Sequence, residues 1–188
     1  MKAVSVFGAA ALIAISLPCT AEIPTHSQHY QNPDYQFSAD VPDHLLGCVS
    51  ENTDHGIDIL LDHRPGCGSV TDQRPYADVF ASYNVATNAD TPQMLAQVHC
   101  GYEKAERTVW LSGWRLDGRD AAGCRQYFKD GRITVEIVTQ RKTEPRNPEI
   151  WIDISASLTT TASRYDHDMR VFRQIVRTVR IAPDDPLR

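Results

Sequence analysis

The sequence predicts an α+β protein: an antiparallel β-meander packed against a short helix and a C-terminal amphipathic helix, stapled by disulfides. Three observations carry this. Asp117-Gly118 and Asp130-Gly131 each separate runs of alternating apolar residues, and Asp-Gly in that setting is the strongest short hairpin signal. Met169, Phe172, Ile175, Val176 and Val179 recur at helical spacing near the C-terminus, which marks one buried stripe. Cys48, Cys67, Cys100 and Cys124 follow a leader of secretory type, and an even cysteine count in an exported chain reads as disulfides.

The chain opens with Lys2 and an unbroken apolar run, Ala3 to Leu17, then Pro18-Cys19-Thr20-Ala21. A positive start, a short apolar stretch and a small residue at the exit describe a signal peptide over residues 1–21, cleaved after Ala21. A membrane span needs about 20 apolar residues, and no later segment approaches that length. Cys19 raises lipidation as an alternative, but Pro18 stands where such signals carry a small residue. Residues 22–35 are polar and proline-punctuated and read as a lead-in. A single domain is expected over 36–182, with 183–188 as a tail. Removal of the leader leaves about 167 residues, enough for one core.

Within that domain, QFSADVP alternates Phe37, Ala39 and Val41 on one face and stops at Pro42, a first strand. GIDILLD places Ile57, Ile59 and Leu61 on one face, with Asp58, Leu60 and Asp62 on the other. YADVFASYNV, rich in aromatic and β-branched residues, is a further strand. Thr91-Pro92 starts a helix, Thr91 as N-cap and Pro92 at its first position, and Met94, Leu95 and Val98 give it an apolar stripe. TVWLSGWRL, AAGCRQYF, RITVEIVTQ and IWIDISASL then form four antiparallel strands from Thr108 to Leu158. Ser163, with Asp166 three residues on, is the expected start of the closing helix. Arg170, Arg173, Arg177 and Arg180 occupy its outer side and last turn, where positive charge suits the helix dipole.

Four cysteines permit three pairings. Cys48–Cys67 and Cys100–Cys124 are favoured because each lies within one half of the chain. A loop of roughly 20–25 residues closed in this way contributes ~3 kcal/mol in the chain-entropy view. A four-cysteine zinc site would want a C-x-x-C pair, and the sequence contains none.

Charge divides the chain. Residues 22–100 carry only Arg64 and Arg74 against 11 acidic residues, whereas 101–188 carry 16 basic and 13 acidic ones. An acidic chain of net charge −5 is a poor partner for nucleic acid or an anionic membrane. Its acidic half suits a basic protein.

The order of these parts resembles the PsbP-like fold group, which includes exported bacterial domains of the DcrB type. The residues that carry the likeness are the strand ending in proline (FSADVP), the meander with its Gly-Arg-Asp-Ala turn (GRDAAGC), a long last strand, and the amphipathic closing helix (MRVFRQIVRTVRI). It spans most of 35–181. The resemblance implies a sheet covered by helices and a binding or accessory role rather than catalysis.

The densest chemistry lies in DHGIDILLDHRPGC, where Asp54, His55, Asp58, Asp62 and His63 crowd together before Cys67. A metal or acid–base site needs side chains that converge. Strand rise puts Asp58 and Asp62 on one face but about 13 Å apart, and His55 more than about 20 Å from His63. The segment therefore reads as a one-sided strand whose polar side meets solvent or a partner, with His55 near its start. No nucleophile elbow, H-E-x-x-H pair or phosphate-cradling loop occurs. Ser69, in GCGSV, reads as part of a turn. Trp110 and Trp114 are expected on one strand face, where Trp151 could join them as core or as a binding platform.

These readings point to a periplasmic, non-enzymatic binding protein without a cofactor. Its sharpest form is an immunity or inhibitor protein whose acidic loops plug a basic toxin or envelope-directed enzyme. Asp54, His55, Asp58, Asp62 and His63 are the candidate contact residues. The alternatives are a small exported hydrolase using His55 or His63 with carboxylates, or an accessory of envelope assembly.

Overall fold

A computed structural model describes residues 29–49, 55–62, 66–67, 75–83, 89, 91–142 and 151–184. The expected signal peptide lies outside them. Ten strands and two helices follow in the order β1 (His29–Asn32), β2 (Phe37–Asp40), β3 (Leu46–Val49), β4 (Gly56–Leu60), β5 (Tyr76–Tyr83), α1 (Pro92–His99), β6 (Arg107–Leu116), β7 (Arg119–Tyr127), β8 (Arg132–Lys142), β9 (Trp151–Thr161), α2 (Tyr165–Thr178) and β10 (Arg180–Ile181). Seven strands form an antiparallel sheet in the order β3-β4-β5-β9-β8-β7-β6, and β1-β2-β10 form a small second sheet. The α+β class and the four-stranded meander are as the sequence predicts.

The large sheet has two unlike faces, set by the period of two along each strand. The inner face carries Ile57, Ile59, Val79, Val135, Ile137, Ile154 and Leu158, all within 1 % of full burial. On it lie the small sheet and α2, whose Met169, Phe172, Ile175, Val176 and Val179 are buried as the stripe predicts. Each such side chain gains roughly 1.5–3 kcal/mol on burial, so the stability of the domain resides here. Arg170, Arg173, Arg177 and Arg180 remain exposed.

The start of α2 differs from expectation. Ser163 does not cap it: its hydroxyl meets that of Thr161 at 3.2 Å, and Arg164 occupies the cap position without a side-chain cap. The first turn is held by fully buried Asp168, which accepts from Arg164 Nε and Nη2 at 3.1 Å each and from Thr160 Oγ1 at 2.6 Å. Burial raises the Asp168 pKa, but the hydrogen bonds from Arg164, Thr160 and His167 outweigh it and hold the carboxyl below its ordinary value. A forked guanidinium–carboxylate pair is stronger than a hydroxyl cap.

Residues 29–32 and 182–184, at the two margins of the described residues, are held by specific contacts. β1 falls inside 22–35, where the alternation is hidden because its inward residues are Tyr30 and the polar Asn32, 5 % and 0 % exposed. Asn32 closes the turn into β2: its amide donates to Tyr30 Oη at 2.9 Å and its carbonyl oxygen accepts from Tyr35 N at 2.9 Å. At the other end, Arg141 Nε donates to the Ala182 and Pro183 carbonyls, and Arg119 pairs with Asp184 at 2.8 Å.

A bulge reorients β6. Leu111 faces Gly123 and Trp114 faces Ala121, so Ser112 and Gly113 together oppose Ala122. Gly113 adopts φ +74°, a conformation in which glycine is unhindered. The extra residue puts Trp110 and Trp114 on opposite faces, which overturns their expected shared platform. Trp114 turns inward against the core and under Arg173, whose guanidinium lies 5.9 Å from its ring. Trp110 points outward at 55 % exposure. Trp151 is half-buried with Lys142 Nζ 4.7 Å from its ring.

Two disulfides form as expected, Cys48–Cys67 with Cα atoms 5.6 Å apart and Cys100–Cys124 with Cα atoms 6.3 Å apart. Among the described residues, no helix is long and apolar enough to cross a membrane.

Candidate functional site: an acidic cleft on the outer sheet face

The outer face is polar, and among the described elements α1 packs on it. Thr91 caps the helix, its hydroxyl accepting from Met94 N at 3.2 Å. The expected stripe is corrected: Leu95 and Ala96 are buried against Ala122 and Val138, while Met94 and Val98 are 42 % and 38 % exposed. The apolar footing is therefore small. Covalent and polar anchors supplement it. Cys100, just past the helix end, is bonded to Cys124 on β7, and Gln126 Nε2 donates to the Cys100 carbonyl at 2.9 Å.

Register assembles the site. Across β4, β5, β9 and β8, Asp58 stands opposite Asp78, Asp78 opposite Ser157, and Ser157 opposite Glu136. This single transverse row ends in the two disulfides, since Asp58 faces Cys48 on β3 and Glu136 faces Cys124 on β7. Directly opposed residues have Cβ atoms about 4.5–5.5 Å apart, where like charges destabilise a sheet. Above the row lies a cleft of about 550 Å³, with Phe80, Tyr102 and His99 among its walls. Phe80 is 39 % and Tyr102 70 % exposed. A smaller hollow of about 250 Å³ continues past Tyr102 and Glu136 toward Thr134 and Thr159.

The charges are unevenly compensated. His99 reaches Glu136 Oε1 with Nδ1 at 3.1 Å and Asp153 Oδ2 with Nε2 at 3.3 Å. Burial alone would lower its pKa, but the two carboxylates raise it to about 9, so the ring is an imidazolium at neutral pH. Asp153 also accepts from Gln140 Nε2 at 2.8 Å. Asp78 accepts from Ser157 Oγ at 2.6 Å, yet burial, with Asp58 and Glu136 nearby, lifts its pKa to about 7. Burial likewise raises Asp58. Among the described residues lining the cleft, His99 faces Asp78, Asp58 and Glu136 as the cationic group, and the cleft carries net negative potential, focused by its low-dielectric walls.

Of the residues singled out in the sequence, Asp58 enters this cleft. His55 does not line it. Its Nδ1 lies 2.5 Å from Tyr35 Oη and 3.2 Å from the Ala81 carbonyl, and its ring stacks on Phe80 at 5.3 Å. These contacts make it a packing element at the start of β4. Asp62 sits half-buried beyond the strand end, and Asp54 and His63 lie outside the described residues, as does Ser69. Sequence reasoning missed Asp78, Glu136 and His99. Each acid was visible as a polar position in an alternating strand, but the register that aligns them joins strands far apart in the chain. Among the described residues, no three His, Cys, Asp or Glu side chains are placed to hold a metal ion.

No family model matches the chain, and no curated protein matches it. Solved structures do. LpqN, described as involved in cell envelope biogenesis of Mycobacterium tuberculosis, shares 12% identity at a TM-score of 0.53, over 78% of this chain and 83% of its own. The cyanobacterial PsbP protein CyanoP from Synechocystis aligns over 87% of this chain and 97% of its own, with 12% identity and a TM-score of 0.46. The expected α+β architecture, an antiparallel sheet covered by helices, is the one observed, and LpqN shares its fold. At this identity the likeness speaks for the fold alone.

Proposed function

We propose that this chain is an exported, non-enzymatic binding domain of the bacterial envelope that engages a basic protein partner through its outer sheet face. The carrying observation is the contrast in cover. The inner face is closed by α2 and the small sheet, whereas the outer face leaves an acidic, aromatic-rimmed cleft accessible. Export is supported by the leader-like residues 1–21 and by two disulfides, which persist in oxidising compartments. The involvement of LpqN in cell envelope biogenesis is in keeping with this reading. In its sharpest form the chain neutralises a toxin or hydrolase that attacks the envelope, its acidic surface meeting a basic catalytic cleft. An assembly accessory would use the same surface to hold a partner. The alternative, a hydrolase using His55 or His63 with carboxylates, is less favoured because His55 does not line the acidic cleft.

The test is affinity capture from the source organism with tagged chain from Glu22 onward, disulfides intact, followed by association kinetics with the captured partner. Reversal of Asp58 and Glu136 to lysine is expected to slow association by at least about tenfold at low salt, since surface charge steers encounter. An unchanged on-rate at low salt would remove the electrostatic basis of the proposal.

A further inference from the structure

The cleft geometry specifies what it receives. Asp58 and Asp78 lie on neighbouring strands, and Asp78 and Glu136 are separated by β9, hence about 10 Å apart at the usual strand spacing. Asp58 and Asp78 are close enough to share one ligand, but Glu136 is too far along the row to complete a cage, and no third His, Cys, Asp or Glu among the described residues joins the pair. The row matches an extended cation with several donors. His99 already faces Glu136, so the unmatched charge is concentrated at Asp58 and Asp78. Phe80 follows Asp78 by two residues on the same face of β5 and offers a ring beside that charge, with Tyr102 on the α1 side of the cleft.

We infer that the cleft is the socket for a single arginine side chain presented by a loop of the basic protein partner. Its guanidinium lies over Asp58 and Asp78, and its stem lies between Phe80 and Tyr102. This rests on the binding reading above and narrows it. A guanidinium supplies five donors in a planar fork, pairs with carboxylates two bonds at a time, and stacks on aromatic faces. A side chain carried on a protein loop, rather than a free amine, fits the walls: Phe80 and Tyr102, 39 % and 70 % exposed, flank the cleft and can cover the aliphatic stem of an arginine while its head reaches the carboxylates. Proton linkage follows. Asp78 faces Asp58 from β4, Ser157 from β9 and Glu136 from β8, and His99 of α1 lines the same cleft. Arginine binding favours ionised Asp78, so affinity increases as pH rises from 6 to 8.

The probe is a blocked Leu-Arg-Leu tripeptide, titrated into the disulfide-intact chain and followed by backbone amide shifts. Its citrulline counterpart, equal in shape but uncharged, and a chitin oligosaccharide serve as comparisons. The expected result is shifts centred on Asp58, Asp78, Phe80 and Tyr102, with citrulline binding about tenfold weaker. Asp58→Asn/Asp78→Asn should lose the arginine preference while remaining folded. Equal binding of arginine and citrulline, shifts elsewhere, or no binding of the arginine peptide would overturn the socket. Saccharide binding in the cleft without arginine binding would also overturn it, yet leave a binding role standing. Substrate turnover by the chain alone would instead remove the binding reading itself.

Discussion

One sheet carries two faces that obey different rules. Inward, β4, β5, β8 and β9 present aliphatic side chains to α2, and the buried carboxyl of α2, Asp168, is paired. Outward, the same four strands align Asp58, Asp78, Ser157 and Glu136, an arrangement that costs stability because like charges meet and are partly desolvated. The inner face is what a sequence optimised for folding would build. The outer face is not, and ionisable groups with displaced pKa values in a cleft are a mark of function. The molecule places its stability on one side of a backbone and its chemistry on the other.

That division can be broken most severely from inside. Phe172→Ala removes a fully buried ring between α2 and the sheet and should cost about 3–5 kcal/mol, read as the shift in urea midpoint. A loss below about 1 kcal/mol would mean that α2 is not the principal cover. Next in size is Cys100→Ala/Cys124→Ala. It opens a loop of sequence separation 24 and should cost about 3 kcal/mol. Because α1 has so little apolar footing, its amides should exchange with solvent fastest, ahead of those of α2. Uniform acceleration across both helices would show that the two faces unfold as one unit.

His99 sharpens the comparison through pH. Its folded pKa, about 9, exceeds the ordinary 6.5, so the stabilisation it provides is complete below pH 6.5 and is lost as pH rises through 9. Asp78 has the same sign: raised to about 7, it favours the folded state most below pH 4 and progressively less as pH rises through 7. His99→Gln should therefore cost about 2 kcal/mol near pH 6 and almost nothing near pH 10. A cost independent of pH would show that the ring acts by packing rather than by charge.

Much of the fold was legible in the sequence, because its signals are local. The Asp-Gly turns, the Thr91-Pro92 start and the α2 stripe each depend on residues within a few positions, and each is found as read. Local misreadings have local causes. Gly113 inside an alternating run signals a bulge, and overlooking it put Trp110 and Trp114 on one face. Asn32 broke the apolar pattern of β1, and Asp168 displaced Ser163 because its three partners come together only in the fold. The outer site was illegible for another reason. β5 pairs with β9 across some 75 residues of chain, and no local pattern encodes that register. Of the candidates crowded between Asp54 and His63, Asp58 is the one that lines the cleft among the described residues.

The most direct single measurement is the urea-unfolding stability of Asp58→Asn/Asp78→Asn at pH 8 against the unaltered chain. If the acidic row is maintained for binding at the expense of folding, the double variant is more stable, by about 1 kcal/mol. A less stable double variant would contradict this, and would make the row part of the structural framework rather than a site.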